Sequence, residues 1–112
     1  MRFLVLSMRK DIFISYQHKI IRINPADIIL VEATGEYSQL KTTTKNYLLH
    51  TPIIKLEAVL LPHGFFRVHR KFIISLSRIT HVERKRVILG DLQIPIGYSF
   101  YKNFLNQLDI LQ

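Results

Sequence analysis

The chain contains no cysteine, which excludes disulfides and thiolate zinc sites and agrees with a reducing compartment. Glycine is scarce: four in 112 residues, never clustered into the glycine-rich loop that cradles phosphates. The apolar run from Phe3 to Leu6 is far short of the ~20 residues that span a bilayer, and no signal-peptide core or cleavage site follows it. The expectation is a soluble, cytoplasmic protein with no membrane partner. Acidic residues number only eight and lie scattered, so the paired carboxylates of acid–base catalysis are missing. Ser75, Ser77 and Ser99 sit in no nucleophile-elbow context. His18, His50, His63, His69 and His81 lack the i, i+4 or H-x-H spacing of metal ligands. These absences predict no enzyme, no catalytic residue, no metal, no cofactor and no small-molecule substrate.

What the chain does have is positive charge. Sixteen Lys and Arg give a formal net charge of +8 and a pI near 10.1. A pI above ~9 is the electrostatic footprint of a nucleic-acid binder, because neutralising phosphates releases condensed counterions. The same charge also suits a basic domain kept from self-association, or one that meets acidic protein or membrane. At 112 residues the chain is long enough for one domain with its own core.

The pattern along the chain predicts a mainly β protein with two short helices. Ile12 to Gln17 and Lys19 to Asn24 are β-branched and aromatic runs around a tight turn, and Asn24-Pro25-Ala26-Asp27 breaks the pattern. Ile28 to Ala33 reads as a buried strand ending at Thr34-Gly35-Glu36. Tyr37 to Thr43 alternates, with Ser38, Leu40 and Thr42 on one face and Gln39 and Lys41 on the other. Tyr47 to His50 completes a second hairpin. A helix is expected with Thr51 as N-cap, Pro52 at its first position, and Ile53, Leu56 and Leu60 inward. Leu61-Pro62-His63-Gly64 ends it. Arg78 to Glu83 and Arg86 to Leu89 read as strands around the cationic turn Arg84-Lys85-Arg86, followed by Leu92 to Pro95. Tyr101, Phe104, Leu105, Leu108 and Leu111 recur at helical spacing.

Between the two helices lies the segment from Phe65 to Leu76, with Phe65 and Phe66 as core anchors and Arg67, His69, Arg70 and Lys71 as a cationic head. Strict alternation would point Phe66, Val68 and Arg70 one way and Arg67, His69 and Lys71 the other. At least one of Arg67 and His69 is then expected to be structural, holding the loop through backbone carbonyls.

These pieces carry a resemblance. Ile28-Ile29-Leu30-Val31-Glu32-Ala33, Gly35-Glu36-Tyr37, a helix running into Leu61-Pro62, Phe65-Phe66-Arg67-Val68-His69-Arg70, and Ile94-Pro95-Ile96-Gly97, in that order, resemble the signature of the LytTR DNA-binding domain of bacterial transcription regulators. The resemblance makes residues 12–112 the domain and 1–11 an N-terminal extension. It implies an elongated arrangement of antiparallel sheets with short helices, whose strand-connecting loops enter the major groove of double-stranded DNA. It also implies pairs of domains, a homodimer on directly repeated half-sites, and a response-regulator setting with a receiver domain or sensor partner.

Carried over residue by residue, the family's base contacts fall at Ser38, at Arg70 and, after the Ile-Pro-Ile strand, at Tyr98, where the family often has a basic residue. Arginine can take guanine O6 and N7 with two hydrogen bonds. Tyr37, Gln39, His69, Lys71, Ser99 and Lys102 flank these positions as phosphate or edge contacts. Arg84, Lys85 and Arg86 form either a solvated hairpin tip or a further phosphate contact. The alternative from another class is a LytTR-like protein-interaction module, motivated by Tyr98 and by Phe3 to Leu6 as an extra edge strand. RNA is disfavoured because no strand shows the aromatic pairs that stack unpaired bases.

Overall fold

Three of the tight turns are set by backbone that folds back on itself in the left-handed region. Gln17 and His18 (φ 50° and 63°) join β1 (Ile12–Tyr16) to β2 (Lys19–Ile23), closing a two-stranded antiparallel sheet. Positive φ at both central residues matches the right-handed twist of a hairpin. Arg84 and Lys85 (φ 49° and 59°) do the same between β8 (His81–Glu83) and β9 (Arg86–Leu89), and Gly90 (φ 61°) turns β9 into β10 (Leu92–Pro95). These last three strands form a small sheet in the order β10-β9-β8.

The centre is a five-stranded antiparallel sheet in the order β5-β4-β3-β7-β6, built from β3 (Ile28–Thr34), β4 (Tyr37–Thr42), β5 (Asn46–Leu49), β6 (Phe65–His69) and β7 (Phe72–Ser75). Helix α1 (Ile53–Leu60) connects β5 to β6, and α2 (Tyr98–Leu105) follows β10. The computed structural model describes residues 11–112. Residues 1–10 of the N-terminal extension, and with them the edge-strand expectation for Phe3 to Leu6, lie outside the described residues. The described chain measures 47 × 41 × 24 Å, and no helix within it is long and apolar enough to cross a membrane.

Both faces of the central sheet are covered. Val31, Leu40 and Ile73 pack with Ile12, Ile14 and Ile23 of the first hairpin and with Ile53 and Leu60 of α1. Leu30 and Ile74 pack on the opposite side with Val87, Leu89, Ile94 and Phe104 of the small sheet and α2. Period-2 alternation along β3 and β7 makes this division possible, since Leu30 faces Ile74 and Val31 faces Ile73 across the ladder. Burial at roughly 25 cal/mol per Å² makes these two cores the main source of stability.

Several sequence expectations shift by a turn. Pro52, not Thr51, is the N-cap of α1, and no side chain caps it. Leu76–Arg78 is a 3-10 turn, so the strand expected from Arg78 starts only at His81. Helix α2 ends at Leu105, and Leu111 is exposed instead of belonging to its apolar stripe. Gly64, in the left-handed region at φ 85°, closes the turn after α1 as the expected helix stop.

Candidate nucleic-acid interface

The cationic head of the sequence is a two-residue turn, Arg70-Lys71, between β6 and β7. A β-bulge determines how it is presented. Arg67 pairs with Ile73 while His69 pairs with Phe72, leaving Val68 as the extra residue. The bulge overturns the strict alternation expected from the sequence, because it sends Arg67 and His69 to opposite faces of the sheet. Arg67 goes to the α1 side, where its Nη1 donates to Glu57 Oε1 at 3.2 Å. His69 goes to the other side, its ring 5.6 Å from that of Phe72.

From its side Arg67 ties down the turn. Nη2 donates to the Arg70 carbonyl at 2.6 Å and Nε lies 3.4 Å from the His69 carbonyl. The guanidinium is thus the structural group expected of this segment, and its side chain is only 17% exposed. His69 adds a second fastening: Nδ1 accepts from the Lys71 N–H at 3.1 Å. Burial, then the charges of Arg70, Lys71 and Arg67, hold the His69 pKa below its ordinary value. A neutral ring with a free Nδ1 lone pair is what that hydrogen bond requires. As a neutral group His69 brings no charge to a phosphate. Arg70 and Lys71 themselves are exposed.

Backbone hydrogen bonds link three other segments to this turn, one directly and two through its neighbours. The Ala33 N–H at the end of β3 donates to the Lys71 carbonyl at 2.8 Å, setting the β3–β4 turn beside it. The Gly97 N–H donates at 2.7 Å to the carbonyl of the bulged Val68, joining the start of α2 to the same edge. A Cβ on Gly97 would stand 2.9 Å from the Phe100 ring, closer than packing allows, and 3.6 Å from His69 Cα, an ordinary contact, so the Phe100 ring is what favours glycine here. The Ile96 N–H donates to the Lys85 carbonyl at 3.0 Å, drawing in the β8–β9 turn, and Lys85 Nζ lies 5.6 Å from the ring centres of both Tyr98 and Tyr101. The result is a rim of turns carrying Arg70, Lys71, Lys85, Tyr98, Ser99 and Lys102, all exposed.

Not every predicted contact belongs to that rim. Ser38 is fully buried, and its Oγ donates to the Thr51 carbonyl at 2.7 Å. This conformation offers no Ser38 atom to a duplex, so its assignment as a base contact is corrected to a structural one. The alternation of Ser38 with Leu40 and Thr42 was the signal for this. Gln39 is half-buried within β4, opposite Glu32 and Leu48 and back from the turn. Tyr37 is on the turn, with its ring stacked on His50 at 4.6 Å and 22°. Arg84 is exposed at the β8–β9 tip, whereas Arg86 lies along β9 and donates to Gln93 Oε1 at 3.0 Å. Glu57, the partner of Arg67, is ten residues away on α1, and nothing in the sequence marked it. No group of three or more His, Cys, Asp or Glu able to hold a metal lies among the described residues.

A sheet whose turns, not a helix, line a cationic rim defines a β-type module. The chain belongs to the LytTR family: the LytTr DNA-binding domain matches residues 18–109. It is 31% identical over 100 residues to the sensory transduction protein LytT of Bacillus anthracis, covering 84% of this chain and 41% of that protein. To the CO-responsive transcriptional regulator RcoM of Rhodospirillum rubrum it is 33% identical over 75 residues, 67% of this chain and 31% of that one. The chain therefore spans less than half the length of these curated relatives. A solved LytTr DNA-binding domain from a methyl-accepting/DNA response regulator of Bacillus cereus superposes with a TM-score of 0.75, covering 90% of this chain and 99% of that one at 16% identity. At that identity the likeness speaks for the mainly antiparallel β fold.

Proposed function

We propose that this chain reads double-stranded DNA with sequence preference from its rim of turns, as the output domain of a bacterial transcription regulator in the cytoplasm. One observation carries the reading. The Arg70-Lys71 turn has its backbone fastened by Arg67 and His69 while both of its own side chains stay exposed. A fixed backbone with free cationic ends is what bidentate recognition of guanine O6 and N7 needs, at about 1 to 3 kcal/mol of discrimination per good contact. Lys71, Lys85, Ser99 and Lys102 supply phosphate contacts on either side, and such contacts set register without reading sequence. Tyr98, 89% exposed, offers a ring and one hydroxyl at the third contact position. Arg84 reaches the flank, and Tyr37 gives the β3–β4 turn an aromatic shoulder. Two copies engage directly repeated half-sites, and a receiver domain or sensor partner supplies the input.

The test is selection of bound fragments from a random duplex library at roughly physiological salt, where non-specific affinity is weak. Enrichment of two half-sites in direct orientation, roughly one helical turn apart, is the expected result. Retention of general duplex at low salt only, with no enriched sequence, would refute base reading and favour an interaction module that acts through a partner protein.

A further inference from the structure

Two exposed carboxylates stand among the cations of the rim: Glu83, beside Arg84 and 2.7 Å from His81 Nε2, and Glu36. Glu36 stands on the β3–β4 turn with its side chain 89% exposed, and the histidine beside it, His50, keeps its Nε2 4.0 Å away. Elsewhere the carboxylates that pair with arginine or lysine do so at 2.6 to 3.2 Å, as in Arg22–Asp11, Lys41–Glu32 and Arg67–Glu57. Glu36 is thus an uncommitted acceptor on a surface whose other groups are mostly donors. Set against a phosphate, a carboxylate is repelled. Directed at a base amino group it accepts a hydrogen bond, and in the major groove the cytosine N4 amino group is the donor that acidic side chains take.

The turn that carries Glu36 is fixed although the side chain is free. Gly35 supplies the left-handed residue at φ 66°. The bond from Ala33 to Lys71 pins the strand end, and the Tyr37 ring lies flat on His50. The two adjacent turns therefore present complementary chemistry, donors from Arg70 and an acceptor from Glu36. In the strand order β4-β3-β7-β6 the centres of the two turns lie two strand spacings apart, roughly 10 Å at ~4.8 Å per spacing. That is about three base-pair steps at ~3.4 Å each.

We propose that Glu36 is a specificity-determining residue that accepts a hydrogen bond from cytosine N4 within about three base pairs of the guanine read by Arg70. This inference rests on the duplex-reading function proposed above. The experiment is the random-duplex selection run in parallel on the wild-type chain, Glu36→Ala, Glu36→Gln and Arg70→Ala, followed by titration of the selected site. The wild type should select a cytosine within about three pairs of the position that Arg70→Ala erases. Glu36→Ala should erase that cytosine alone, weaken the selected site by roughly 5- to 100-fold, and leave random duplex bound at least as well. Glu36→Gln should move the preference toward adenine, whose N6 and N7 suit an amide. If Glu36→Ala selects the same sequence with the cytosine intact, Glu36 reads nothing, while duplex reading by the rest of the rim stands. A wild-type chain that enriches no sequence overturns both.

Discussion

Replacing Arg67 with alanine removes a fastener without touching the exposed charges of the rim. Three contacts go. The charge-assisted bond to the Arg70 carbonyl, at 2.6 Å, is the strong one, and such bonds contribute about 1.5 to 3 kcal/mol net. The contact to the His69 carbonyl, at 3.4 Å, adds little. The Glu57 pair, 17% and 34% exposed on its two sides, adds on the order of 1 kcal/mol at most, because Glu57 is wet enough to rehydrate. Part of the sum is recovered when water reaches the freed Arg70 carbonyl, so the net cost is about 2 to 3 kcal/mol. For a domain of this size that lowers Tm by roughly 10 to 20 °C, read by circular dichroism. Glu57→Gln should cost less than half as much, and the double mutant should show coupling of about 0.5 to 1 kcal/mol. In binding, the loosened turn must be ordered again on the duplex, at about 1 to 2 kcal/mol per residue. Cognate affinity should therefore fall by roughly tenfold or more, with an unchanged salt slope, because the Arg67 charge is directed at Glu57. A Tm within about 2 °C of the wild type would refute the fastening role.

Arg70→Ala should weaken the selected site more than random duplex, whereas Lys85→Ala should weaken both alike and flatten the salt slope by about one, in titrations at several salt concentrations. Equal losses for Arg70→Ala on both DNAs would contradict base reading. Ser38→Ala should cost about 1 to 2 kcal/mol in urea unfolding, since the Thr51 carbonyl loses its donor, while the selected sequence stays the same. His69 titrates below its ordinary 6.5 in the folded chain, so the unfolded chain takes up the proton first as pH falls. Its stabilising contribution is complete above 6.5 and is lost as pH drops from there through the folded value. His69→Asn keeps an acceptor for the Lys71 N–H but removes that titration. The wild type should therefore lose more Tm than the mutant between pH 7.5 and 5.5, and parallel curves would contradict the assignment.

Periodicity found most of the architecture because most of it obeys one period at a time. The run from Ile28 and the alternation of Ser38, Leu40 and Thr42 each gave a strand and its buried face. Gly64 marked the end of α1, while the apolar spacing that marked α2 carried it to Leu111, six residues past its end at Leu105. What alternation missed came from bulges. The extra residue at Val68 reverses the facing of everything after it, and no glycine from Phe65 to Leu76 marks this bulge in the sequence. The register shift between Ile28 and Leu30 is likewise silent in composition. At the rim, charge pointed to Arg70 and Lys71 correctly as exposed groups. The assignment of Ser38 by family position outweighed a pattern that already placed it inside with Leu40. Glu57 escaped notice because its meaning depends on α1 docking beside β6, a contact between elements that no local spacing encodes.

The turn between β8 and β9 places Arg84 and Lys85 in the left-handed region, where a residue bearing a Cβ costs about 1 to 2 kcal/mol and Asn-Gly would fit with little strain. Two of the sixteen basic residues of the chain therefore sit where the backbone disfavours them, with Lys85 steadied between the rings of Tyr98 and Tyr101. At this corner, foldability and charge call for different residues. The most stable form of the domain and the most cationic one are different molecules, and this sequence has taken the cationic side.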